Sequence, residues 1–135
     1  MWVIYKQKQI FTLLKNEFSN AIKEKYNMTS NNFTNLDATD TSAVFPKVKF
    51  KTLPGAEQGR TFEPGVNAAL FTFQVDVTDN QTLPTRAEEV MEEVARILSG
   101  LGFEMSAIPN FESNVDGVHR MTARFRRLIG ANEPI

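Results

Sequence analysis

Ala69 to Thr78 reads ALFTFQVDVT, and its alternation decides the fold. Ala69, Phe71, Phe73, Val75 and Val77 fall on one face, and Leu70, Thr72, Gln74, Asp76 and Thr78 on the other. A period of two marks a strand with one buried side. That side needs a cover. Pro84 to Gly100, PTRAEEVMEEVARILSG, predicts an amphipathic helix that supplies it. Ala87, Val90, Met91, Val94, Leu98 and Leu101 make the apolar stripe, and Glu89, Glu92, Glu93 and Arg96 the wet one. Thr85 and Glu88 have the T-x-x-E spacing of a capping box. Gly100 or Gly102 closes the helix in a left-handed cap.

Downstream, Phe103 to Ile108 predicts a strand ended by Pro109, and Asn110 to Gly117 a turn-rich connection. Val118 to Ile129 is the last strand, with Met121, Ala123 and Phe125 inward and Arg120, Thr122, Arg124 and Arg126 outward. Residues 130–135, GANEPI, read as an extended or frayed tail.

Upstream, Pro54 to Gly65, PGAEQGRTFEPG, is a loop whose length and punctuation suit function or motion. Phe62 is its one large apolar group, which either packs on the sheet or enters a partner's pocket. Val44 to Thr52 is a strand, with Val44, Val48 and Phe50 on one side and Lys47, Lys49 and Lys51 on the other. Pro46 cannot donate to a ladder and argues for an edge position. The three lysines either guard that edge against aggregation or form a basic surface used in assembly. Asn27 to Ser42 is rich in Asn, Thr, Ser and Asp, which favour turns. Phe33 anchors it through a short edge strand near Asn32 to Asn35. Asp37 and Asp40 lack the turn glycine and terminal glutamate of a calcium loop.

The first helix is expected from Tyr5 to Lys25. Ile10, Leu13, Leu14, Phe18, Ala21 and Ile22 recur at three- and four-residue steps, and Asn27 stops the helix. Residues 1–5 read as an N-terminal arm, whose Trp2, Val3 and Ile4 either fold back on the core or touch a neighbouring subunit. The order is therefore α-β-β-α-β-β. It predicts a single α+β domain over residues 1–135. The sheet is expected to be mostly antiparallel and four-stranded, or five-stranded if Asn32 to Asn35 joins, with both helices on its apolar face.

The 135-residue chain suits one core. Its net charge of −1 gives no overall pull toward nucleic acid or membrane, so a binding patch must come from local segregation of charge. There is no cysteine, which removes disulfides, thiol nucleophiles and cysteine metal sites. That suits a reducing cytoplasm, and equally a particle assembled there and released. No apolar run approaches the ~20 residues of a membrane span. The start, MWVIYKQKQIF, lacks the basic region and cleavage site of a signal peptide.

No catalytic constellation is expected. His119 is the one histidine, which leaves little for a metal site or a serine relay. Glu88, Glu89, Glu92 and Glu93 have the spacing of a solvated helix face. No phosphate-binding glycine loop is present, so no cofactor is expected. Phe71, Phe73 and Phe125 point inward, unlike the exposed aromatics of an RNA-binding sheet. On the open face, Asp76 is expected to pair with Lys or Arg of neighbouring strands.

Several phrases together resemble the tail terminator, or tail completion, proteins of long-tailed bacteriophages. These are AVFPKVKFKTLP, FTFQVDVTDN, RAEEVMEEVARIL, LGF, PNFESNVDGVHRM and TARFRRLIG, which span Ala43 to Gly130. The resemblance is one of ordered elements and short phrases, with no catalytic motif. It implies a hexameric ring in the virion neck that caps the tail tube, ends its polymerisation and docks the head connector. DNA would pass through the ring without its sequence being read. Other neck proteins, such as those of head closure, are the nearest alternative, and a small ligand-binding or enzymatic domain a more distant one. Lys47, Lys49, Lys51, Arg120, Arg124 and Arg126 are the expected assembly surface. Phe62 and the Glu89, Glu92 and Glu93 face are expected contributors.

Overall fold

A computed structural model describes residues 2–35, 44–53, 68–113, 117–130 and 132–135. The loop 54–65 with Phe62, and the Asp37 and Asp40 positions, lie outside the described residues. Three α-helices are described: α1 (Trp2–Glu17), α2 (Asn20–Lys25) and α3 (Thr85–Gly100). The strands are β1 (Phe33–Thr34), β2 (Lys47–Thr52), β3 (Ala68–Asp79), β4 (Glu104–Ser113) and β5 (His119–Gly130). They form one five-stranded sheet in the order β1-β2-β3-β5-β4. The architecture is α+β. All pairings are antiparallel except β1 with β2, which is parallel.

The faces of β3 are those its alternation predicts. Ala69, Phe73, Val75 and Val77 are fully buried, and Phe71 nearly so. Phe50 stacks on Phe73 at 4.4 Å, and Phe103 meets Phe73 at 5.5 Å. From β5, Met121, Ala123 and Phe125 join them, and α3 contributes Val90, Met91, Val94 and Leu98. The helices cover this face.

The expected single helix from Tyr5 to Lys25 is two helices, broken at Phe18 and Ser19. The apolar spacing runs on through the break, because Phe18 is itself core, edge-on to Phe33 at 5.2 Å. What stops α1 lies elsewhere in the chain. Glu93 of α3 accepts the Ser19 amide at 2.7 Å and restarts the helix there. Glu93 is thus corrected from the wet face to the interior, only 6% exposed. The N-terminal arm is corrected to helix, since Trp2 to Tyr5 are the first turn of α1. Of its two readings the structure has the one that folds back on the core: Trp2 and Val3 pack there, the Trp2 ring 6.1 Å from Phe71. At the other end, Glu133 accepts the Gly130 amide and binds Arg127, Lys6 reaches the Glu133 carbonyl, and Ile135 packs against the core. The frayed tail is corrected to a docked one.

Two helices end alike. Beyond α3, Gly102 has φ +86°, its amide donates to Ser99 O, and the Phe103 amide donates to Leu98 O. Beyond α2, Asn27 has φ 55°, its amide donates to Glu24 O, and Met28 donates to Lys23 O. Both are Schellman closures, with Gly or Asn where a left-handed residue is required. The capping box at Thr85 does not form. Thr85 is already helical, Pro84 precedes it, and the Pro84 carbonyl takes the Glu88 amide at 2.8 Å.

Pro109 does not end β4. The strand continues to Ser113, with register shifts between Met105 and Ala107 and between Ala107 and Asn110. An edge strand tolerates proline because the missing donor faces no neighbour. Pro46 precedes β2, and β2 is second in the sheet rather than at its edge. Its cover by β1 is brief, only Val48 and Lys49 having partners there. The buried Asn32 secures β1 by donating to the Pro46 carbonyl at 2.8 Å and accepting the Thr29 amide.

Candidate functional site

Strand register places every expected cation on one surface. Lys47, Lys49 and Lys51 stand opposite Thr78, Asp76 and Gln74 of β3. Across β3, Arg120, Arg124 and Arg126 stand opposite Thr78, Gln74 and Thr72. All lie on the side away from the helices. Alternate residues of a strand are ~6.8 Å apart, and the two basic columns are two strand spacings, ~9.6 Å, apart. The sequence placed three cations on each strand; pairing both strands to β3 makes them one surface.

The centre of this surface is polar. Asp76, only 7% exposed, accepts from Thr122 Oγ1 at 2.7 Å and from Gln74 Nε2 at 3.2 Å. It faces Lys49 in register. Of the expected Lys or Arg neighbours of Asp76, the lysine is the one in register, because the residue of β5 opposite Asp76 is Thr122. Arg124 donates to Gln74 Oε1 at 3.2 Å instead. Arg120 meets Glu112 at 3.2 Å, and Arg126 lies 3.9 Å from Glu104, both on β4. Neither glutamate stands out in the sequence: Glu112 lies beyond Ile108, where the predicted strand ends, and Glu104 meets Arg126 only through the register of β4 on β5. The surface is thus a basic sheet face with a partial acidic border. Exposed pairs of this kind contribute only ~0–1 kcal/mol each, so stability does not account for the arrangement.

The acidic helix face divides. Glu93 takes Arg96 at 2.5 Å besides the Ser19 amide. Arg96, and then the Ser19 amide, hold its carboxyl below the ordinary value of 4.5, against the opposing effect of burial. Glu89 accepts the Tyr26 hydroxyl in a short hydrogen bond and pairs with Lys25 at 3.1 Å. Tyr26, then Lys25, lower the Glu89 pKa, and the same contact with Glu89 raises that of Lys25. Both carboxylates therefore fasten α2 to α3. Glu92 alone of the three stays exposed and without such a partner among the described residues.

Beside Glu92 lies a groove of about 340 Å³ between α3 and β4, walled by Glu88 and Glu92 and floored by methionines. Another hollow, of about 480 Å³, surrounds Leu128 at one end of the basic face. Neither brings an acid, a base and a nucleophile together. His119 stacks on Phe111 at 5.2 Å with its Nδ1 buried, among strand neighbours. Among the described residues no three His, Asp or Glu side chains gather as metal ligands. No helix among them is long and apolar enough to cross a membrane.

No protein-family model matches the chain, and no curated protein matches it.

Proposed function

We propose that this chain is a phage tail terminator. In this reading it forms a ring, with hexameric closure, that caps the tail tube, ends tail polymerisation and presents a docking surface to the head connector. It works by binding geometry and catalyses nothing. It needs no cofactor. Its place is the neck of the virion, after assembly in the host cytoplasm.

The observation that carries the reading is the open sheet face. One side of the sheet packs against α1 and α3, while the other bears both basic columns. That segregation, in a chain of net charge −1, supports a surface built for contact. The phrases between Ala43 and Gly130 that resemble tail terminators supply the class of contact. The cations either meet the next subunit or line the channel and meet DNA phosphates without reading bases.

The test replaces Lys47, Lys49 and Lys51 with Gln, and separately Arg120, Arg124 and Arg126 with Gln. Wild-type protein is expected to give rings by electron microscopy and light scattering. At least one triple variant is expected to fold but to lose ring formation or head–tail joining in complementation. Normal rings and normal virions from both variants overturn the role of this face. Binding of the wild type to filled heads but not to finished tails assigns it to head closure instead.

A further inference from the structure

We infer that the groove between α3 and β4 receives a second copy of this chain, through the Leu128 end of that copy's open sheet face. The inference rests on the ring reading and specifies its contact. The groove is lined by Met91, Ala95, Met105 and Met121 on its apolar side, with Glu88 and Glu92 on its helix wall. Met105 is 42% exposed and is the part of the apolar lining open to solvent, while Met91 and Met121 are buried. Methionine is unbranched and adapts to an incoming side chain. The Glu88 and Glu92 carboxylates have no hydrogen-bond or ion-pair partner among the described residues.

The complementary surface is on β5. Leu128 is 64% exposed, opposite Leu70 in register, and shares its face with Arg126 and Arg124. Spacing matches as well as charge. Glu88 and Glu92 are one helical turn apart, ~6 Å along the axis. Arg124 and Arg126 are ~6.8 Å apart along the strand. With Leu128 in the methionine groove, the two arginines run along the two glutamates. Glu104, 3.9 Å from Arg126, offsets only part of the positive charge.

The two patches lie on different sides of the subunit. The groove is on the helix side of the sheet at β4, and Leu128 is on the open side. A contact between unlike patches is heterologous, the kind that closes rings when the rotation permits. The β4 edge offers a poor competing route, because its register shifts and Pro109 interrupt the ladder that an added strand would need.

The absence of native cysteine allows a direct test. Ala95→Cys and Leu128→Cys are introduced singly and together in the full chain, with folding of the reduced proteins checked by circular dichroism. The purified proteins are then oxidised at high concentration. The double variant is expected to give a ladder of covalent multimers on a non-reducing gel, and each single variant none. Adding Glu88→Lys and Glu92→Lys should abolish the ladder. Adding Arg124→Glu and Arg126→Glu to that chain should restore it. No ladder from the folded double variant, or dimers from either single variant, overturns the contact. Cross-linking of Ala95→Cys to a cysteine-bearing tail tube protein, but not to Leu128→Cys, assigns the groove to another partner and also overturns it. A ladder that never closes leaves this contact standing and overturns the ring. A closed wild-type ring with no cross-link does the reverse.

Discussion

Glu93 of α3 accepts the backbone amide of Ser19 at 2.7 Å, so the start of the second helix is set by a residue seventy-four positions away. A local signal for the break is weak, because Leu14, Phe18 and Ile22 keep helical spacing across it. Replacing Glu93 with Ala leaves a partly buried amide unmet and strips Arg96 of its partner. The expected cost is about 1–3 kcal/mol, read as a lower urea midpoint with an unchanged slope. No change in midpoint would show that water replaces the carboxylate freely.

Acid should weaken the fold through the same group. The folded-state pKa of Glu93 lies below its ordinary 4.5. Its contribution is therefore fully present above that value and is lost as pH falls through the folded pKa. Glu89 and Glu133 are shifted in the same direction. Wild-type stability should decline below about pH 4.5, and Glu93→Gln, which keeps an acceptor for Ser19, should decline less steeply. Parallel pH profiles for the two proteins would remove Glu93 from the acid response.

Phe73→Ala opens a hole at the centre of the core, where Phe50, Phe71 and Phe103 all meet its ring. The expected loss is about 3–5 kcal/mol, measured by denaturant unfolding or seen as insolubility. An unchanged melting temperature would contradict the assignment of the two faces of β3.

Gly102→Ala forces a side chain into φ +86°. Arg127, whose Nε would lie 3.3 Å from the new Cβ, can move aside, but the backbone strain stays. A destabilisation of about 1–2 kcal/mol is expected. Gly100→Ala has open space around it and serves as the control. Equal melting temperatures for the two variants would show that the left-handed closure is dispensable.

Ring formation through the basic face should weaken with salt, since exposed charges act over only ~8 Å at physiological ionic strength. Light scattering across a salt series checks this. An oligomer of constant mass from low to high salt would point to an apolar contact instead.

Much of the fold was legible because short-range periodicity reports burial directly. The buried set of β3, the stripe of α3 and the inward residues of β5 follow from spacing alone. Glu93 was misread because a carboxylate among Glu89, Glu92 and Arg96 looks solvated until a partner arrives from another helix. Glu112 escaped notice for a related reason, since its role beside Arg120 exists only once β4 runs past Pro109, and Glu104 because the register of β4 on β5 is what sets it beside Arg126. The six cations were legible one strand at a time. Their union depended on β3 lying between the two strands, which alternation within a strand does not specify.

Trp2 is the only tryptophan of the chain, and its ring sits against Phe71. Intrinsic fluorescence excited selectively at the indole therefore watches one event, the seating of the first turn of α1 on the central strand. A change in emission ahead of the loss of far-ultraviolet dichroism would reveal that this turn lifts off while the sheet is still intact. The native chain thus carries its own optical reporter for whether its N-terminal helix stays docked when copies meet.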